Sequence, residues 1–129
     1  MLEYYSDEDW KQFLSHAEHR TFSAAETLVE AGDRTRLMFV VVEGKLDVVI
    51  DEEGGNKRID TIEAPSVFGE QTFLDGQPRT ASIAARTDGA CYCLHMDGLL
   101  SLSEENPALA AAFLYDLARV LSLRFRAWQ

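Results

Sequence analysis

Hydrophobic and polar positions change period twice along the chain. Trp10, Phe13, Leu14 and Ala17 recur at spacings of three and four behind Ser6-Asp7-Glu8-Asp9, a run with a capping hydroxyl and with acids where the helix dipole favours them. This predicts an amphipathic helix from about Asp7 to His16. From Arg20 to His95 the pattern becomes short β-type runs broken by turn residues, among them Gly32-Asp33, Glu43-Gly44 and the run Asp51 to Asn56. Met38 to Val42 is almost continuously apolar, Leu46 to Ile50 partly alternates, and Thr80 to Ala85 and Ala90 to His95 supply two further strands. Many short strands at regular spacing predict a sandwich, jelly roll or barrel. After Asp97 the helical period returns with a short piece, then Asn106-Pro107 as cap and first-turn proline, then a run to Trp128. Ala110, Leu114, Leu117, Leu121, Phe125 and Trp128 form a broad apolar face on that last helix.

No repeat, low-complexity tract or linker divides the sequence. Its 129 residues, 47% of them hydrophobic, are enough to bury one core without disulfides or metal, so a single domain over residues 1–129 is expected. Twenty-two acidic against twelve basic residues give a net charge of −10, which disfavours nucleic acid and anionic lipid as partners. The same field repels a small anion, so a phosphate site here needs its own fixed cation and backbone donors. Cys91 and Cys93 lie two apart on one strand face, a poor geometry for a disulfide, and are read as buried, reduced thiols. With no signal peptide and no apolar run of membrane-spanning length, a soluble, cytoplasmic chain without membrane insertion is expected.

The segment Phe68-Gly69-Glu70-Gln71-Thr72-Phe73-Leu74-Asp75-Gly76-Gln77-Pro78-Arg79-Thr80-Ala81 carries the candidate chemistry. It resembles the phosphate-binding cassette of the cyclic-nucleotide-binding domain family, of the catabolite activator protein and cAMP-dependent protein kinase regulatory subunit type. Gly32-Asp33, the Phe39 to Gly44 strand and turn, the cassette and the closing helix all follow in the family's order. The resemblance implies a mainly β fold with flanking α. It is a jelly-roll-like β-roll of about eight strands over about residues 20–95, with the cassette at 68–81. One helix precedes the roll, a short one lies in the cassette, and C-terminal helices span about 97–128.

The ligand implied is cAMP or cGMP, bound and not hydrolysed, with no cofactor and no metal. Gly69 lets the backbone approach closely, and a short helix after it would aim unpaired N–H groups at the anion. Glu70 can accept from the ribose 2′-hydroxyl, and Arg79 supplies a planar fork for two phosphate oxygens. Gln71 and Ala81 fall within the same cassette. Thr80 lies near the base by resemblance, where its hydroxyl could bond a guanine amino group held syn. Val48 and Ile59 match barrel positions that flank the base, and Arg124, Phe125, Arg126 and Trp128 are candidates for a lid over it. Taken singly, Glu70 and Arg79 would be surface residues, and Phe125 and Trp128 core residues.

Some positions depart from the family pattern. Gln71 replaces an aliphatic residue, Thr72 a smaller one, and Ala25 and Pro65 stand where turn glycines are common. A metal-dependent cupin would share the barrel but needs clustered His and Glu ligands. The histidines are instead His16 and His19, expected to be solvated, and His95 at a strand end. An interaction module without ligand is the other alternative, with the last helix as a dimerisation or docking surface. After that helix the sequence leaves no room for an effector, so the output is expected from a protein partner or an attached domain absent from this chain. A homodimer through the C-terminal helix is a further expectation.

Overall fold

The computed structural model describes residues 5–128. It divides into two compact units, one formed by Glu18–Met96 and the other by the chain before Glu18 together with that from Asp97 on.

The first unit is the β-roll. Its strands are β1 (Glu18–Phe22), β2 (Thr27–Val29), β3 (Leu37–Glu43), β4 (Lys45–Glu52), β5 (Gly55–Glu63), β6 (Ser66–Phe68), β7 (Ser82–Ala85) and β8 (Gly89–His95). They form two four-stranded antiparallel sheets in the orders β1-β8-β3-β6 and β2-β7-β4-β5. Phe22, Phe39, Val41, Phe68, Cys91 and Cys93 from one sheet meet Val29, Leu46, Ile83 and Ala85 from the other in a single core. In β3 the alternate residues Met38 and Val40 are buried as well, which is why this strand reads as a continuous apolar run. Both cysteines are buried and unbridged, as their spacing predicts. The sequence pattern passes over β5. All but one of its residues are exposed, so it has no buried face to print an alternation, and its pairing with β4 defines it instead.

In the helical unit, α1 (Asp7–Ser15) opens with a capping box. The Asp9 N–H donates to Ser6 Oγ at 3.1 Å and the Ser6 N–H to Asp9 Oδ2 at 3.2 Å. Helix α3 (Met96–Glu105) buries Leu99 and Leu102. Asn106 caps α4 (Pro107–Trp128) by accepting from the Leu109 N–H at 3.1 Å. The buried stripe of α4 differs from the expected one. Leu109, Ala110, Phe113 and Leu117 are buried, and Phe113 packs on Phe13 of α1 with ring centroids 5.0 Å apart. Leu114 and Phe125 are exposed, Phe125 by 58%, and among the described residues the fully buried positions of the helix end at Leu117. The Trp128 side chain lies outside the described residues. His16 is a second correction: its side chain is 15% exposed and bonds Glu105 at 2.7 Å, because α1 runs beside the end of α3. Gln12 joins the pair, donating to Glu105 at 3.0 Å. His19 and His95 are exposed.

Candidate functional site

Between β6 and β7 the chain forms α2 (Glu70–Asp75), the short helix expected inside the cassette. Gly69 starts it with φ of 82°, a left-handed conformation that costs L-residues with a Cβ about 1–2 kcal/mol. Its carbonyl accepts from the Phe73 N–H at 3.2 Å and from Arg79 Nη1 at 3.0 Å. A Cβ at this position would stand 3.2 Å from the Leu37 carbonyl oxygen, a contact that the backbone would have to relieve by a few tenths of an ångström.

Arg79 is held from two directions. Its backbone N–H donates to the Asp33 carbonyl and its carbonyl accepts from the Gly32 N–H, both at 2.8 Å. Its guanidinium turns inward, where Nη2 donates to Thr35 O at 3.1 Å and to Leu37 O at 2.5 Å. The residue is 8% exposed, and its Nε–H is buried with no hydrogen-bond partner. Burial pushes its pKa below the ordinary arginine value, partly offset by the charge of Asp33. Among the described residues its three side-chain bonds all go to carbonyl dipoles and none to a carboxylate. A buried donor left unpaired costs about 1–3 kcal/mol and calls for an explanation.

Glu70 is 3% exposed at the first turn of α2. Neither Glu70 nor Arg79 is the surface residue that each would be if taken singly. Thr72 is buried, while Gln71 and Thr80 are exposed and Ala81 is half-buried ahead of β7. Val48, on the inner face of β4, packs against the core and pairs with Ile83 and Asp60. Ile59 is the extra residue of a β-bulge: the register passes from Val48↔Asp60 to Val49↔Arg58 and leaves Ile59 unpaired and 52% exposed. Arg124 is exposed on α4, in the helical unit. Ala25 makes its turn without glycine, in the left-handed region at φ 74°.

One group escaped the sequence reading. Arg36, exposed in the sequence as any loop arginine, donates from Nε to Phe73 O at 3.0 Å and from Nη2 to Leu74 O. Together with the Thr35 and Leu37 carbonyls it makes residues 35–37 the back wall of the cassette. The acceptors are main-chain atoms, which carry no residue-type signal.

Among the described residues no cluster of three or more His, Cys, Asp or Glu could hold a metal ion, and no helix is long and apolar enough to cross a membrane. Residues 19–106 match the family description "cyclic nucleotide-binding domain". The chain is 26% identical over 122 residues to cyclic GMP-binding protein C of Dictyostelium discoideum, covering 94% of this chain and 5% of that protein. To the cAMP-activated global transcriptional regulator CRP of Pasteurella multocida it is 28% identical over 111 residues, 84% of this chain and 53% of that one. The crystal structure of the Thermus thermophilus catabolite activator protein superposes with a TM-score of 0.84 at 25% identity, over 98% of this chain and 58% of that one. The chain thus spans about half the length of the bacterial regulators that it matches.

Proposed function

Since the chain belongs to the cyclic nucleotide-binding domain family, we propose that it binds cAMP or cGMP at residues 68–81, leaves the ligand intact, and signals through α4. The observation that carries this reading is Arg79, a buried cation that among the described residues bonds only carbonyl oxygens and holds one orphaned N–H. A cyclic phosphate offers it two anionic oxygens in the geometry that its fork matches. Exchange of neutral acceptors for charged ones is favourable because charge-assisted hydrogen bonds contribute about 1.5–3 kcal/mol against about 1 for neutral ones.

The remaining residues divide the ligand between them. Glu70 takes the ribose 2′-hydroxyl, Gly69, Gln71 and Ala81 shape the phosphate end, and Thr80, Val48 and Ile59 flank the base. Arg124 and Phe125 serve as lid candidates on α4. The effector is a partner protein or an attached domain. Both nucleotides are named among the relatives, one as cyclic GMP-binding and one as cAMP-activated.

A second reading, a domain that keeps the shape and acts as an interaction module without ligand, draws on the same arginine, whose donors already have protein acceptors. Calorimetry with cAMP and cGMP separates the two. Saturable binding of either is expected, and no heat from either at millimolar concentration would overturn the sensor reading in favour of the module.

A further inference from the structure

Helix α2 is too short to hold itself in place. It has six residues and ends on Gly76 in the left-handed region, where the Gly76 N–H returns to Thr72 O at 2.9 Å. The next two carbonyls, of Phe73 and Leu74, have no intrahelical partner in so short an element, and both are taken by the guanidinium of Arg36. A cation is also the charge that a helix C-terminus favours. Arg36 is itself anchored, since its carbonyl accepts from the Met96 N–H at 3.1 Å at the end of β8. Its two neighbours along the chain, Thr35 and Leu37, supply the carbonyls that hold Arg79. One three-residue segment therefore grips the far end of α2 with a side chain and the guanidinium of Arg79 with its backbone.

We propose that Arg36 is the positioning residue of the cassette, a latch that fixes α2 against residues 35–37 and so sets the affinity for nucleotide without touching it. The inference deepens the nucleotide-binding reading and rests on it for the ligand, while the latch itself is testable without any ligand. With Arg36 in place, Gly69, Glu70 and Arg79 keep one mutual arrangement. Without it, α2 loses its C-terminal anchor, and part of the binding free energy goes to ordering the helix.

The test uses the full chain and the variants Arg36→Ala and Arg36→Lys. Amide hydrogen exchange without ligand should accelerate at Phe73 and Gly76 by about tenfold or more in Arg36→Ala, the size expected for losing a charge-assisted anchor. Exchange at Phe39 and Cys93 in the core strands should stay as it is, and Arg36→Lys should recover part of the protection, because a lysine still places a donor at the helix end. Calorimetry should show cAMP, cGMP and their 2′-deoxy forms weakened by the same factor, again about tenfold, a uniformity expected of a residue that reads no ligand group. Unchanged exchange at Phe73 and Gly76 would overturn the latch, as would acceleration spread equally over the core strands. If the wild-type chain binds no nucleotide, the sensor reading fails by itself and the exchange pattern still decides the latch.

Discussion

A Cβ atom on Gly69 would lie 2.6 Å from Nη1 of Arg79, closer than any non-bonded contact allows. The glycine and the arginine thus form one steric unit, in which the guanidinium occupies the space that a side chain at residue 69 would need. Gly69→Ala should lower stability by about 1–3 kcal/mol, from the left-handed backbone and from displacement of the arginine. In an Arg79→Ala background the second part vanishes, so urea denaturation of the four proteins should give a clear coupling between the sites. Strict additivity would show that the two side-chain positions do not compete.

Arg79→Ala and Glu70→Ala should differ in what they read. Removing the arginine should weaken ribo and 2′-deoxy cyclic nucleotides alike, by about 2–3 kcal/mol. It should also lower fold stability, because the Gly69, Thr35 and Leu37 carbonyls each lose a donor. Glu70→Ala should weaken ribonucleotides by about 1–2 kcal/mol while sparing the deoxy forms. Equal losses for the two sugars in a titration would remove Glu70 from the ribose.

Ala25 holds a left-handed φ of 74° in the turn closed by the Glu26 N–H on Ser23 O. Glycine adopts that conformation freely, so Ala25→Gly should raise the unfolding free energy measured by urea denaturation by about 0.5–1 kcal/mol after the extra unfolded-state entropy of glycine is counted. A loss of stability would mean that the alanine methyl makes a contact that outweighs its strain.

The second half of α4 exposes Leu123 and Phe125, and Leu114 and Tyr115 are exposed before them. Self-association through this helix is expected to show as a concentration-dependent mass in sedimentation, lost in Leu123→Glu/Phe125→Glu. Hydrogen exchange across 108–128 should change on addition of nucleotide, and truncation before Arg124 should lower affinity. A chain that is monomeric at all concentrations, with exchange indifferent to ligand, would leave α4 neither interface nor transmitter.

Hydrogen bonds from Gln12 and His16 hold the Glu105 carboxyl below its ordinary value of 4.5. A depressed folded-state pKa means that the folded protein favours the carboxylate. The stabilisation is therefore present above the unfolded value and is lost as pH falls through the folded one. Glu105→Ala should lower the denaturation midpoint above about pH 5 and make progressively less difference below about pH 4. A gap between the two proteins that holds constant down to acid pH would assign the effect to packing instead.

What the sequence made legible were the features written in side chains. Ser6 and Asp9, Asn106 and Pro107, and the Met38–Val42 run each mark their element by residue type, and Gly69, Glu70 and Arg79 mark the cassette by their joint spacing. What stayed hidden was written in the backbone. The acceptors for Arg36 and Arg79 are carbonyls of Phe73, Leu74, Gly69, Thr35 and Leu37, and any residue could have supplied them. Strand β5 escaped because its exposed face and its exposed bulge give no alternation. The apolar stripe of α4 runs along the whole helix, whereas full burial among the described residues ends at Leu117, and a hydrophobic pattern does not say where its cover stops.

Cys91 and Cys93 face the core side by side, Cys91 without any exposed surface, and the hydrogen bond between them together with burial raises the Cys91 thiol above its usual range. A protonated thiol behind two sheets does not react with an alkylating or disulfide reagent until the sheets separate. The chain therefore contains its own gauge of opening. The rate at which Cys91 is labelled counts how often the roll breathes, and its slowing under nucleotide would convert occupancy of the cassette into a free energy.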